Sequence, residues 1–212
     1  MDLFNIRKDF TLQTLEEEDM LSNPFQMLQL WLDEAIVHKA LEPTAMTLST
    51  ASKEGRPSSR VLLLKEIQKE GLVFFSNHES KKGQQMAENQ YVAVNFMWHE
   101  LERQVRIEGI VSRLSNEESF AYYNMRPRNS RIGAWASPQS QVILNRAYLD
   151  DQVQKFTLQF ADQERIEKPP HWGGYVIKPQ MFEFWQGRKN RLHDRIEYLP
   201  KGKQWKMVRL AP

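Results

Sequence analysis

The run Phe184-Trp-Gln-Gly-Arg-Lys-Asn-Arg-Leu-His-Asp-Arg195 begins in one strand-like stretch near the C-terminus, residues 181–186, and ends at the first residue of the next, residues 195–199. A further stretch, residues 175–178, precedes it, and another, residues 204–210, follows after a Pro-Lys-Gly turn. Each stretch is short and rich in apolar or aromatic residues, which is typical of strands bounded by turns. The C-terminal part of the chain therefore predicts an antiparallel sheet.

Within this run Arg191, His193 and Arg195 alternate with other residues, so an extended chain would place them on one face. Three groups that can carry positive charge repel one another unless an anion or a polarised ligand lies over them. Asp194 can neutralise one arginine but not the whole row. Because the flat ring of Trp185 lies close in sequence, the run predicts a ligand site.

The rest of the chain mixes strand and helix signals. Asn23-Pro24 is typical of a helix start, and Ser115 with Glu118 forms a capping box. Strands are predicted at residues 45–51, 58–65, 71–76, 91–98 and 103–114, and helices at residues 24–42, 80–88, 115–125 and within 141–160. Strands dominate without strict alternation, which favours an α+β, mainly β fold with an antiparallel sheet or barrel. We expect residues 1–22 to form a mobile arm and residues 23–212 a single domain.

Composition excludes several classes of protein and site. The chain has 212 residues and a formal net charge of +2, too small to indicate nucleic-acid binding. It contains no cysteine, which excludes disulfides and a thiolate nucleophile, and its five histidines lack metal-ligand spacing. No signal peptide is recognisable, and no apolar run approaches the roughly 20 residues of a membrane span. We therefore expect a cytoplasmic protein with no metal, nucleic-acid or membrane partner.

Residues 119–149 contain no Asp or Glu. The fork of donors on Arg126 suits a phosphate, and the hydroxyls of Tyr122 and Ser130 could complete its shell. Because Pro127 ends the preceding helix, we expect Arg126 and Ser130 to converge from a loop. A solvated basic surface is the alternative. Neither common glycine-rich phosphate loop occurs, so side chains would have to hold any phosphate.

A second group of cations brackets an apolar run, Arg60-Val-Leu-Leu-Leu-Lys65. The pattern predicts a buried strand with charged ends, and the five-residue separation would point Arg60 and Lys65 to opposite faces. Snorkelling of both side chains at the strand ends is an equal alternative. Ser80-Lys81-Lys82-Gly83 adds two cations beside a helix N-terminus, which is itself favourable for an anion.

These residues form part of an ordered set that resembles the pyridoxine/pyridoxamine 5′-phosphate oxidase family. Each segment alone is weak, but together they run in family order to the last residue. The segments are Arg60-Val-Leu-Leu-Leu-Lys65, Leu101-Glu-Arg-Gln-Val105, Arg126-Pro-Arg-Asn-Ser130, Ile132-Gly-Ala-Trp135, Gln139-Ser140, Phe184-Trp-Gln-Gly187, Arg191-Leu-His-Asp-Arg195 and Arg209-Leu-Ala-Pro212.

The resemblance implies a split β-barrel with peripheral helices, assembled as a homodimer with FMN sites at the interface. It also implies the reaction. Pyridoxamine or pyridoxine 5′-phosphate would give a hydride from its 4′ carbon to the flavin, and O2 would reoxidise the flavin with release of H2O2. The product would be pyridoxal 5′-phosphate, and the protein would position the rings and hold two phosphates.

Site residues follow from the resemblance by matched position. Flavin contacts are expected at Arg60, Val61, Leu62, Leu63, Leu64, Lys65, Phe75, Ser76, Lys81, Lys82, Gln104, Gln139, Ser140, Trp185 and Arg195. Substrate contacts are expected at Lys65, Tyr122, Arg126, Ser130, Arg191 and His193. Arg191 and His193 are the expected catalytic groups, which would orient the substrate ring and assist loss of a proton from the 4′ substituent.

Some positions depart from the family pattern. Phe75-Ser76 stands where Tyr-Thr is frequent, and Lys81 where Arg is common, which replaces a fork of donors by a point charge. The segment Arg7-Lys-Asp-Phe10 resembles one that can cover the substrate, but ends in Phe rather than Tyr.

Two other functions remain as alternatives. The first is a non-catalytic flavin- or B6-vitamer-binding protein on the same barrel. The second is a nucleic-acid binder, since basic patches are interleaved with aromatic residues, although the near-neutral net charge counts against it.

Overall fold

The computed structural model describes residues 2, 4 and 9–212. Its strands are β1 (Ala45–Ala51), β2 (Pro57–Leu63), β3 (Glu66–Gln68), β4 (Gly71–Asn77), β5 (Tyr91–Trp98), β6 (Arg103–Arg113), β7 (Trp172–Gln186), β8 (Asp194–Lys201) and β9 (Gln204–Arg209). Its helices are α1 (Pro24–Val37), α2 (Lys81–Glu88), α3 (Asn116–Met125), α4 (Arg128–Ala136) and α5 (Arg146–Gln159). The predicted α+β, mainly β class is confirmed.

All nine strands belong to one antiparallel sheet that curls into a barrel. Its main path runs β2-β1-β5-β6-β7-β4-β3, and β8 and β9 extend from β7. The two ends of the path, β2 and β3, are separated in sequence only by Leu64 and Lys65. The Leu64 amide donates to Thr44 O at 2.9 Å, whereas the Lys65 amide donates to Val73 O at 2.8 Å. These two residues therefore bond to opposite ends of the path and bring those ends together.

The 15-residue strand β7 is the central element of the sheet. It pairs with β6 along both strands, with β4 through residues 172–177, and with β8 through residues 182–186. The sequence predicted two separate strands here. The structure instead shows one strand with a register shift opposite Glu108/Gly109, which leaves Gln180 without a partner on β6. Such a bulge accommodates the missing amide of Pro179 without ending the strand.

Helix α1 covers one face of the barrel. The Asn23 side chain accepts a hydrogen bond from the Phe25 amide, and Pro24 occupies the first turn, as predicted. The Phe25 ring packs edge-on against Phe182, and Trp31 packs edge-on against Phe184, both at 5.1 Å between centroids. These contacts attach the helix to the second half of β7.

The other predicted helix starts are also confirmed, with one omission. The Ser80 side chain caps α2, and the capping box that Ser115 forms opens α3. The sequence did not predict α4, which follows directly after Pro127. Ser130 therefore lies in the first turn of a helix and not in a loop. The cause is that proline stops one helix and is equally suited to the start of the next.

Residues 11–20 run along the barrel and contact it at several points. The amides of Thr11 and Leu12 donate to Glu102 Oε2 at 2.8 and 3.1 Å, and the Leu15 amide donates to Asp194 Oδ2 at 3.1 Å. The side chain of Leu15 is buried. The mobility of residues 1–22 stays a prediction, and Arg7 and Lys8 of the covering segment lie outside the described residues. Among the described helices, none has the length and apolar character to cross a membrane.

Replacing Phe184 by Ala tests the role of β7 in the core. Phe184 is fully buried between α1 and β8, so its loss should lower the free energy of unfolding by about 3–5 kcal/mol. Leu158→Ala, on the exposed side of α5, should change it by less than about 0.5 kcal/mol. Urea titration measures both, and equal effects of the two substitutions would contradict this packing.

Candidate functional site

Two cations and two neutral polar side chains lie together where β2, β4 and α2 meet; we name Arg60, Ser76, Lys82 and Gln139 the basic cluster, of which Ser76 and Lys82 are buried. Arg60 Nη1 donates to Thr50 Oγ1 at 2.7 Å and to Leu48 O at 3.2 Å. Lys82 Nζ donates to Gln139 Oε1 at 2.7 Å, and Ser76 Oγ donates to the same atom at 3.4 Å. The structure therefore brings together four residues that the sequence predicted to share a ligand.

The cations of this cluster are paired with neutral groups. Only 8% of Lys82 is exposed, and burial together with the charge of Arg60 lowers the pKa of Lys82 to about 8. In the part of the chain that the structure describes, neither Arg60 nor Lys82 forms a salt bridge with a carboxylate. Buried cations without an acidic partner are costly, and a bound anion would offset that cost.

Two other predicted residues border the basic cluster. Lys81 is the exposed first residue of α2, and Ser140, next to Gln139, is exposed with a left-handed φ of 71°. The left-handed conformation turns the chain directly after Gln139. Whether Lys81 and Ser140 contact a ligand stays a prediction.

A second group, at the junction of α3 and α4, is the helix-corner cluster of Tyr122, Arg126 and Ser130. The Arg126 guanidinium lies over the Trp172 ring at 4.6 Å and over the Tyr123 ring at 5.8 Å. Its buried Nη1 atom has no hydrogen-bond partner among the described residues, and burial lowers the pKa of Arg126. An orphaned donor on a desolvated cation is a feature that a bound anion would satisfy.

Aromatic rings connect this corner to β4 and β7. Tyr122 stacks on Phe75 at 3.9 Å between centroids, and Phe75 stacks on Trp172 at 5.4 Å. Lys65, Phe75 and Tyr122 line one cavity of about 470 Å³. Lys65 and Tyr122, both predicted substrate contacts, therefore share a cavity.

The structure of residues 60–65 differs from the buried strand that the sequence predicted. β2 ends at Leu63, so the alternation of a regular strand does not extend to Lys65. The strand is not buried in the single chain, because β2 is a terminal strand of the sheet path and Val61 is 67% exposed. Leu63 is also exposed, whereas Leu62 is half-buried and Leu64 is buried. An apolar run alone cannot distinguish an internal strand from one at the end of a sheet.

The third group lies at the far end of β7; we name Gln104, Trp185, His193 and Arg195 the ring cluster. Gln104 on β6 lies opposite Trp185 on β7, and Trp185 lies opposite Arg195 on β8. Opposite residues in a sheet project from the same face, so these three side chains form a row. The Trp185 and His193 rings are 4.6 Å apart, and Phe10 lies edge-on to both at 5.7 Å.

The protonation of His193 follows from one backbone contact. The Arg188 amide donates to His193 Nδ1 at 3.0 Å, so Nδ1 is an acceptor and the neutral ring carries its proton on Nε2. Burial and the charge of Arg191 lower the pKa of His193, which favours this neutral form at pH 7. The ring can therefore present an N–H donor to a ligand, and Nδ1 is not free to act as a base.

The prediction that Arg191, His193 and Arg195 share one face of an extended chain was wrong. Residues 189–191 form a 3-10 turn, with left-handed φ values of 57° at Asn190 and 62° at Arg191. Strand β8 begins only at Asp194. The turn still keeps Arg191 close enough to His193 to affect its pKa.

The charge pairing of this segment also differs from the prediction. Asp194 accepts from Arg188 at 3.2 Å and from Arg209 at 2.9 Å. Arg195 instead pairs with Glu183, which the sequence analysis missed. A single Glu between two Phe residues in a strand is the signal that could have revealed it.

Comparisons with known proteins cover the whole chain. The sequence model for pyridoxamine 5′-phosphate oxidase matches residues 32–160, and that for the pyridoxine 5′-phosphate oxidase C-terminal dimerisation region matches residues 172–212. The pyridoxine/pyridoxamine 5′-phosphate oxidase of Cyanothece sp. is 47% identical over 100% of this chain and 99% of its own. That of Polynucleobacter asymbioticus is 49% identical over 98% of this chain and 97% of its own.

This chain belongs to the pyridoxine/pyridoxamine 5′-phosphate oxidase family.

Solved structures of relatives agree with the fold. PhzG from Burkholderia lata, solved with tetrahydrophenazine-1-carboxylic acid, superimposes with a TM-score of 0.88 at 30% identity, over 95% of this chain and 99% of its own. A pyridoxamine 5′-phosphate oxidase-related, FMN binding protein from Nostoc punctiforme superimposes with a TM-score of 0.69 at 16% identity, over 91% of this chain and all of its own, which shows the fold alone. The split barrel expected from the family is thereby confirmed.

In this family member the basic cluster and the ring cluster lie at opposite ends of β7. Ser76 pairs with Gly173 near the start of the strand, and Trp185 lies twelve residues further along it. At roughly 3.3 Å per residue, the two positions are about 40 Å apart along the strand. One chain therefore presents two separate parts of the predicted site.

The tautomer of His193 can be tested directly. We expect nitrogen-detected NMR to show a neutral ring protonated on Nε2 at pH 7, because the Arg188 amide occupies Nδ1. Since the pKa in the folded state lies below the unfolded value of about 6.5, protonation opposes folding and stability falls as the pH drops below 6.5. A titration midpoint above 6.5, or a proton on Nδ1, would show that this contact is wrongly assigned.

Proposed function

We propose that this chain is an FMN-dependent oxidase of pyridoxamine 5′-phosphate and pyridoxine 5′-phosphate. Each substrate would be converted by O2 to pyridoxal 5′-phosphate and H2O2, and the amine substrate would in addition take up water and release ammonia. The observation that carries the proposal lies at the positions that the family motifs predict, where desolvated cations form no salt bridge with a described carboxylate.

The basic cluster fits the phosphate of FMN. Lys82 and Arg60 supply positive charge that is partly removed from water, and Ser76 and Gln139 supply neutral polar groups beside them. Loss of solvent around the two cations strengthens their attraction for a dianion. The ring cluster offers what a flavin ring requires, an apolar aromatic face at Trp185 with donors from Gln104 and Arg195 beside it. When bound, FMN would supply the hydride acceptor and the reaction with O2.

The separation of the two clusters supports a site made by two copies of the chain. The length of about 40 Å along β7 between the partner of Ser76 and Trp185 exceeds the length of one flavin mononucleotide. The C-terminal residues match a region described as a dimerisation region, and Val61 and Leu63 on β2 present exposed apolar side chains. We therefore infer a homodimer in which the basic cluster of one copy faces the ring cluster of the other. Two-fold symmetry would create two such sites.

The helix-corner cluster is the proposed anchor of the substrate phosphate. The Nη1 donor of Arg126 has no partner in the described part of the chain, and the rings of Trp172 and Tyr123 hold the guanidinium in place. Ser130 lies in the first turn of α4, where backbone amides are unpaired and favour an anion. Lys65 and Tyr122 line the adjoining cavity and would complete the shell.

His193 and Arg191 are proposed to orient the substrate ring. The neutral His193 would donate from Nε2 to a polar substituent of the ring, while the exposed guanidinium of Arg191 would stabilise negative charge that develops there. Our sequence-based hypothesis included a base role for His193. The Arg188 contact favours the donor role instead, since a base at Nδ1 would have to give up that hydrogen bond.

Arg126→Ala tests both the activity and the phosphate anchor. The purified protein should be yellow with bound FMN and should form H2O2 when pyridoxamine 5′-phosphate is added. Arg126→Ala should raise KM about tenfold or more and change kcat much less, since a charged contact made equally before and during reaction is lost. Stopped or continuous peroxide assays measure both constants.

Arg146→Ala is the matched control. Arg146 lies in the same acid-free segment, but its side chain is 81% exposed and pairs only with Asp150 in the described part of the chain. It should leave KM unchanged. An unaltered KM in Arg126→Ala would refute the anchor, and bound flavin without peroxide in the wild type would establish the non-catalytic alternative.

A further inference from the structure

A carboxylate is buried in the middle of the apolar half of β7. Glu183 is 2% exposed and lies between Phe182 and Phe184, both fully buried. An isolated carboxylate at such a position would be strongly destabilising. Two guanidiniums compensate it: Arg106 Nη1 donates to Oε2 at 3.0 Å, and Arg195 donates through Nε to Oε1 at 3.0 Å and through Nη2 to Oε2 at 2.9 Å.

The two hydrogen bonds from Nε and Nη2 to the Glu183 carboxylate fix the plane of the Arg195 guanidinium. A third donor, Nη1, bonds to Ala211 O at 2.8 Å, so the C-terminal residues hold the group from the other side. Of the five N–H donors of an arginine, these contacts use three, and one hydrogen on each Nη nitrogen is left. The hydrogen bonds to Glu183 also raise the pKa of Arg195. Arg195 therefore presents two N–H donors whose direction is fixed by Glu183 and Ala211.

Those donors lie beside the ring cluster. Arg195 is directly opposite Trp185, and Glu183 is two residues before Trp185 on the same strand. Residues two apart on a strand project from the same face, so the carboxylate and the tryptophan ring share it. In the proposed function, Trp185 and Arg195 contact the flavin ring. Glu183 is thus a buried negative charge that is linked to that contact through Arg195.

We propose that Glu183 is a positioning residue that aims the Arg195 fork at the flavin ring and offsets one unit of the positive charge that Arg106 and Arg195 supply. The inference rests on the proposed function. Removing the carboxylate would leave Arg106 and Arg195 as neighbouring like charges without their common partner. Arg195 would lose its orientation, and the larger positive charge would favour the reduced flavin, because reduction adds negative charge to the ring.

The test compares two Glu→Gln variants of the FMN-loaded protein. Glu183→Gln should raise the Kd for FMN about tenfold or more, measured by flavin fluorescence, and should shift the flavin midpoint potential to a more positive value, measured by dye equilibration. Glu108→Gln is the control, because Glu108 pairs with the same Arg106 at 3.7 Å but is exposed. Glu108 lies on β6, four residues beyond Gln104, the residue opposite Trp185. This substitution should change neither quantity.

A Kd within twofold of the wild type, or an unchanged potential, in Glu183→Gln would overturn the proposal. Arg195→Lys keeps the charge but loses the fork, so it should raise the Kd while leaving the potential near that of the wild type. This second variant keeps the proposal falsifiable should Glu183→Gln not fold, since a wild-type Kd in Arg195→Lys would also overturn it. Failure of the wild type itself to bind FMN would refute the proposed function instead, which separates the two claims.

Discussion

The continuous pairing of β7 is the constraint on which the rest of the structure depends. Its first half pairs with β4, whose end leads into α2 and Lys82, and its second half pairs with β8, which carries Arg195. The bulge at Gln180 lets one strand serve both halves despite Pro179. Because each half of the strand carries a different cluster, the length of β7 separates the basic cluster from the ring cluster. A second copy of the chain is the simplest means of bringing them together.

Charge pairing distinguishes the arginines and lysines of this protein by role. Arg195 and Arg106 share a buried carboxylate at Glu183, so their positions are fixed within the fold. Lys82 and Arg126 are desolvated and, among the described residues, form hydrogen bonds or ring contacts only with neutral groups. A buried cation without an acid is unfavourable unless an anion arrives. The unpaired cations therefore identify the proposed phosphate sites, and the paired ones orient what surrounds them.

Local sequence signals predicted the elements well because their causes are local. The capping side chains of Asn23, Ser80 and Ser115 start helices through bonds to residues two or three positions away. The pairing of Glu183 with Arg195 could not be read in the same way, since it depends on strand register. The left-handed turn at Arg191 was missed because alternation in a sequence does not show that the chain is extended. Motif order predicted the candidate site residues, while their division between two ends of β7 required the structure.

Complementation between two inactive variants tests the shared site most directly. One variant carries Arg60→Ala and Lys82→Ala, and the other carries Trp185→Ala and Arg195→Ala. If each site uses the basic cluster of one copy and the ring cluster of the other, a purified heterodimer has one site with all four changes and one intact site. It should then show about half of the wild-type FMN content and peroxide formation, whereas each homodimer shows little. A heterodimer as inactive as its parents would contradict the account.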